Sequence, residues 1–242
     1  MLLSALRRAS LLFYNTRPIH KWPKWLGLLH GINLPSNLPR KEITSAWGGA
    51  NINIILELLE RVIGLPGDLA ECGVFQGATL LTIAVWCRQQ NYRKRIFGLD
   101  SFEGFDNSIG YDLLLGGHDI MQKRVGGFGN TSQAMVEMKI GLLGLGQTTS
   151  LVRGYFVETL PSLEHQKFCF VHLDCDIYTS YRLCLYHFYP RMTTGGIILF
   201  DEYNDPPWPG CNKAVDEFLA NKPEPLEMIE RDRYQKYYLV KR

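Results

Sequence analysis

Two bursts of acids stand in the C-terminal half of the chain, Asp174 and Asp176 in HLDCDIY, then Asp201, Glu202 and Asp205 in LFDEYNDPPWPG. Each follows an apolar run, FCFV at 168–171 and IILF at 197–200, that reads as a strand buried on both faces. Acids at the exits of such strands concentrate negative charge at one sheet edge, and like charges converge only with a counterion or a proton. The chemistry on offer is therefore a hard divalent cation, magnesium or calcium, or a carboxyl kept protonated. Asp174 and Asp176 are two apart, so an extended strand end presents both to one face and Cys175 to the other. Asp201 and Glu202 are adjacent and diverge in a regular strand, so their joint use requires the chain to turn out of the sheet at Phe200. The loop DPPWPG suits such a turn, and Asp205 reads as part of that loop. His172 has no partner at a zinc-ligand spacing and reads as a packed strand residue.

A second constellation lies upstream. The segment DLAECGVFQGAT puts Glu71 at a strand end and Gly73 and Gly77 in the turn that follows. Its spacing E-x-G-x-x-x-G differs from the dinucleotide fingerprint. The next apolar run ends at Asp100, where a carboxylate can accept from two ribose hydroxyls. Around these motifs strands are expected over 68–74, 96–100, 150–153, 168–173 and 196–200, helices over 43–63, 78–89, 179–189 and 212–220, and a hairpin over 227–231 and 237–241. Alternating βα units closed by an antiparallel pair predict an α/β fold with an open, mostly parallel sheet that binds ligands beyond the carboxyl ends of its strands.

The 242 residues suit a single domain: a helical extension over 1–63, a core over 64–242, and a glycine-rich insertion over 102–146. A net charge of +2 with mixed signs gives no basic stripe for nucleic acid, so the expected partner is a small molecule or saccharide. Six cysteines without CxxC pairing predict buried thiols in a reducing, cytoplasmic setting. The segment MLLSALRRASLLFYNTRPIHKW is apolar and basic but lacks a long apolar core, and nowhere do the roughly 18 apolar residues of a membrane span occur. It is expected to form an amphipathic helix packed on the domain or on a second copy in a homo-oligomer.

The segments DLAECGVFQGAT, RIFGLDSFEGF, RGYFVETLP, VHLDCDIYTSY and GGIILFDEYNDPPWPGCNKAVDEF together resemble the macrocin O-methyltransferase family. The resemblance implies the Rossmann-like class I methyltransferase fold, a seven-stranded, mostly parallel sheet with an antiparallel C-terminal hairpin. It also implies methyl transfer from S-adenosyl-L-methionine to a sugar hydroxyl with Mg2+ as a second cofactor. By the same resemblance Glu71 and Gly73 lie at the amino acid end of the methyl donor, and Asp100, Ser101 and Phe102 line its ribose and adenine. Asp174, Asp201 and Glu202 correspond to metal ligands and Asp176 to the general base; Glu202 stands where some members carry Asp.

Two further expectations concern the acceptor side. The stretch 116–129, with His118 and Arg124, is a candidate lid that excludes water, and Tyr155, Phe156, Tyr178, Tyr203 and Trp208 are candidates to stack on a sugar. The competing readings are a nicotinamide-dependent oxidoreductase, which leaves the second acidic burst unused, and a non-catalytic binding module with the same fold.

Overall fold

The computed structural model describes residues 49–117, 121–231 and 234–242. Seven strands form one sheet: β1 (Asp68–Cys72), β2 (Ile96–Asp100), β3 (Thr149–Arg153), β4 (Phe168–Leu173), β5 (Met192–Phe200), β6 (Glu227–Arg231) and β7 (Tyr234–Val240), in the spatial order β3-β2-β1-β4-β5-β7-β6. The first five pair in parallel, and β7 lies antiparallel between β5 and β6. Only β7 is therefore reversed. The expected strand over 196–200 begins earlier, at Met192, because a register shift between Phe168 and Phe170 lets Met192 pair with Phe168.

The helices are α1 (Gly49–Val62), α2 (Ala78–Gln89), α3 (Ile109–Leu115), α4 (Gln133–Leu143), α5 (Phe156–Thr159), α6 (Tyr178–Phe188) and α7 (Pro209–Leu219). Residues 1–48, which hold the basic-apolar segment and the start of the expected 43–63 helix, lie outside the described residues, as does His118.

Alternation along the strands divides the core into two layers. Leu69, Ile197 and Leu199 pack with α1, α2 and α4 on one face; Ala70, Cys72, Ile198 and Phe200 pack with α6 and α7 on the other. β4 is buried along its whole length, as a central parallel strand must be. All six cysteines are free and buried in this packing. No described helix is long and apolar enough to cross a membrane.

Candidate active site

The exits of β1, β2, β4 and β5 open into one cleft of about 1230 Å3, lined among others by Glu71, Gly73, Asp100, Ser101, Asp174, Asp176, Asp201 and Glu202. The two acidic bursts and the glycine turn thus meet at one sheet edge, at the crossover point where β1 lies between β2 and β4.

On the β1–β2 side the backbone does most of the holding. Gly73 has φ +93, and a Cβ there would stand 1.6 Å from the carbonyl oxygen of Asp174, so only glycine lets the exits of β1 and β4 come this close. Asp100 accepts the amide of Phe75 through Oδ2 at 2.7 Å and that of Phe102 through Oδ1 at 2.6 Å. Its carboxylate caps the glycine turn and its own loop, leaving further lone pairs toward the cleft. Ser101 donates to Gly104 O at 3.0 Å and accepts from Glu103 N at 3.2 Å. Phe102 is set apart from its neighbours. It turns away from the cleft into the core and borders a smaller pocket of about 250 Å3 with Ser132 and Arg153. Glu71 is 1% exposed; Oε1 meets His172 Nδ1 at 3.2 Å, whereas Oε2 has no hydrogen-bond partner. An unmet carboxylate oxygen lining a cleft is a place for a ligand ammonium or hydroxyl.

On the β4–β5 side, carboxyl oxygens of Asp174, Asp201 and Glu202 lie within 4.8 Å of one another. The adjacent pair does not diverge, because the chain leaves the sheet at Phe200. Tyr181 of α6 secures the bend: its buried hydroxyl accepts the amides of Asp201 at 3.1 Å and Glu202 at 3.3 Å. Its single proton is placed between Leu173 O at 2.7 Å and Glu202 Oε2 at 2.5 Å. Asp176 departs from the extended geometry expected of it. β4 has ended at Leu173, Asp176 has φ +58, and its amide donates to Glu202 Oε2 at 3.3 Å. It therefore lines the cleft beside the triad without joining it. Asp205 is exposed and stands outside the triad.

Two basic side chains sit among these acids: His172, expected only as a packed strand residue, and Lys236, to which sequence reasoning assigned no role. His172 is fully buried in β4, yet both of its ring nitrogens face carboxylates, Glu71 at 3.2 Å and Asp201 Oδ1 at 3.1 Å. Burial opposes its charge, but Asp201 and Glu71 raise its pKa to about 10. Lys236 of β7, 8% exposed at its side chain, reaches Asp201 Oδ1 at 2.6 Å. Burial raises the pKa of Asp201, but Lys236 and His172 overcome it and hold the carboxyl well below its usual range. The other acids shift the opposite way. Burial, then the charge of Asp201, pushes Asp174 up; burial, then Asp174, pushes Asp176 and Glu202 well up. Burial also raises Glu71 to about 7. Five carboxyls thus share two cations, and an all-oxygen triad with surplus charge is the donor set a hard divalent ion takes.

The insertion borders the cleft through an aromatic cluster in which Phe105 meets Phe128 and Trp208 edge-on at 5.6 and 5.7 Å. Lys123 ties it to the loop after β5, donating to Gly116 O and to Pro207 O. Arg124 is exposed and does not line the cleft. Of the aromatics considered for a sugar, Tyr155, Phe156 and Trp208 line the cleft, with Trp208 packed in the cluster. Tyr178 and Tyr203 do not; their hydroxyls donate to Glu217 and Asp216.

A doubly wound sheet of this strand order is the fold of class I O-methyltransferases. The solved structure of the O-methyltransferase NovP superposes with a TM-score of 0.68 at 23% identity, covering 100% of this chain and 98% of that one. Residues 38–238 match the family model for macrocin O-methyltransferase (TylF), and the chain belongs to that family. It is similar to demethyldecarbamoylnovobiocin O-methyltransferase of Streptomyces niveus, 29% identical over 188 residues that cover 76% of this chain and 71% of that protein. It is also similar to mycinamicin III 3''-O-methyltransferase of Micromonospora griseorubida, 28% identical over 196 residues, 79% of this chain and 76% of that protein.

Proposed function

We propose that this methyltransferase moves the methyl group of S-adenosyl-L-methionine to a hydroxyl of a sugar or glycosylated natural product, with Mg2+ held by Asp174, Asp201 and Glu202 and the proton taken by Asp176. The observation that carries this reading is one cleft that joins a carboxyl triad within 4.8 Å to the unpaired Oε2 of Glu71. Glu71 accepts from the ammonium of the methyl donor, and Gly73 keeps the backbone low enough for its amino acid end to pass. Asp100 offers its remaining lone pairs to the ribose. A divalent cation at the triad supplies Lewis acidity that lowers the pKa of an acceptor hydroxyl.

Asp176 stands beside the triad without being consumed by it, as a proton acceptor must. Burial and the neighbouring acids raise its proton affinity, and a cation at the triad would offset that repulsion, leaving a carboxylate basic enough to take the hydroxyl proton. The acceptor oxygen then bonds to the methyl carbon as the carbon–sulfur bond breaks, and the electron pair leaves on sulfur. Tyr155 and Phe156 offer ring faces for the apolar side of a sugar, the acceptor class that membership of the family favours.

Calorimetry with S-adenosylhomocysteine, NAD and Mn2+ tests the reading. The first is expected to bind and NAD to give no heat; Mn2+ binding is expected to vanish in Asp174→Asn while S-adenosylhomocysteine binding survives. NAD binding with no S-adenosylhomocysteine binding would overturn the cofactor assignment, and undiminished Mn2+ binding in the variant would overturn the triad. With an acceptor in hand, Asp176→Asn is expected to keep Mn2+ and lose turnover by about 100-fold or more.

A further inference from the structure

Helix α6 starts two residues beyond Asp176 and carries Tyr181, so its first turn governs both the proposed base and the clamp on Asp201 and Glu202. Its own N-cap residue is Ile177, which has no side-chain acceptor. The cap comes from the insertion. Asp112 of α3, with no exposed surface, accepts the Tyr178 amide through Oδ1 at 3.0 Å and Oδ2 at 3.1 Å. The same carboxylate is pressed against the first turn of α7, where a Cβ on Gly210 would lie 1.7 Å from Asp112 Oδ1. α7 likewise begins without a side-chain cap, at Trp208. One buried acid from the insertion thus plugs the start of both helices that follow the acid-bearing loops.

We propose that Asp112 is a positioning residue that makes the geometry of the carboxylate loops depend on the docked insertion. An acid in this place has no solvent to satisfy it, and an uncapped helix start frays over its first turn. Asp176 occupies a left-handed backbone conformation that costs a non-glycine residue free energy, and it persists only where its surroundings hold it. Loss of the Tyr178 bond releases one side of that restraint and loosens the turn that carries Tyr181. The exits of β1 and β2 are held by the Gly73 amide on Leu99 O and by the amides on Asp100, bonds that do not involve α6. The proposal deepens the reading of the β4–β5 exits as the reacting centre and rests on it for its functional consequence.

Hydrogen exchange on the full chain tests the coupling with no ligand present. In Asp112→Ala, amides over 174–181 are expected to exchange at least about tenfold faster than in the parent, with those over 71–77 unchanged. Mn2+ affinity, read by electron paramagnetic resonance, is expected to fall about tenfold while S-adenosylhomocysteine affinity stays within about twofold. Asp112→Asn keeps one amide acceptor and is expected to restore most of both. Should the alanine variant not fold, the asparagine variant decides, with a rise of about threefold in exchange over 174–181 alone. Equal exchange changes in both segments, or none, would overturn the proposal. A parent that binds neither Mn2+ nor S-adenosylhomocysteine counts against the proposed function instead, because the exchange arm still reports on Asp112.

Discussion

The two sides of the cleft hold their acids by opposite means. At the exit of β2, Asp100 has each oxygen met by a backbone amide, so its carboxyl group is anchored by the loops it caps. At the exits of β4 and β5 the acids face one another, and the cations available, Lys236 and His172, both converge on Asp201. One member of the triad is therefore strongly ionised while Asp174 and Glu202 are pushed toward protonation. A carboxylate bonded by amides forms a rigid ligand site without needing an ion. A carboxylate set against its own kind stores repulsion that a divalent ion relieves, and under the proposed function this ties metal binding to the order of the loops.

The comparison is most severely tested where the two sides touch. Gly73→Ala forces a methyl group into the Asp174 carbonyl, and a loss of about 4 kcal/mol or more is expected, read from the urea midpoint. A tolerated alanine would mean that the sides are not in rigid contact.

Lys236→Met acts on the acid-rich side alone. Removing one partner of a buried ion pair is expected to cost about 3 kcal/mol at neutral pH. The sign with pH follows from Asp201, whose folded pKa lies below its ordinary 3.8. Its stabilisation is fully present above 3.8 and is lost as pH falls from there through the depressed folded pKa, so the gap between parent and variant should begin to close below about pH 4. Denaturation midpoints across pH check this, and a gap that widens on acidification would contradict the pairing.

The smallest effect belongs to the other side. Ser101→Ala removes one loop hydroxyl and is expected to cost about 1 kcal/mol, with S-adenosylhomocysteine affinity changed by less than about threefold. A larger loss would show that this side also depends on single side chains.

The residues that could be read from the sequence are those whose chemistry stands at a strand end. Glu71, Asp100, Asp174, Asp201 and Glu202 each close an apolar run, and local hydrophobic period is enough to place them at a sheet edge. His172 was in view as a strand residue, and its burial is as expected, but its two partners were not read. The available signal was that a histidine inside a strand buried on both faces must find hydrogen-bond partners. Lys236 also left a trace, since it falls on the same strand face as Tyr238, a core position. The extended geometry assumed for Asp176 failed because the strand ended three residues earlier than that reading required.

By itself the sequence determined the order of the strands and of the helices α1, α2, α6 and α7, though not α3 and α4 of the insertion or the short α5, together with the placement of acids at the exits of β4 and β5, and the family. These follow from local periodicity and from motifs within short segments. Only the tertiary structure decided which acids meet and which charges answer them. Lys236 reaches Asp201 because β7 inserts antiparallel beside β5, and Asp112 reaches Tyr178 because the insertion folds over α6 and α7. Those contacts join residues far apart in the chain, and they are set by strand pairing and packing, which no local pattern of residues records.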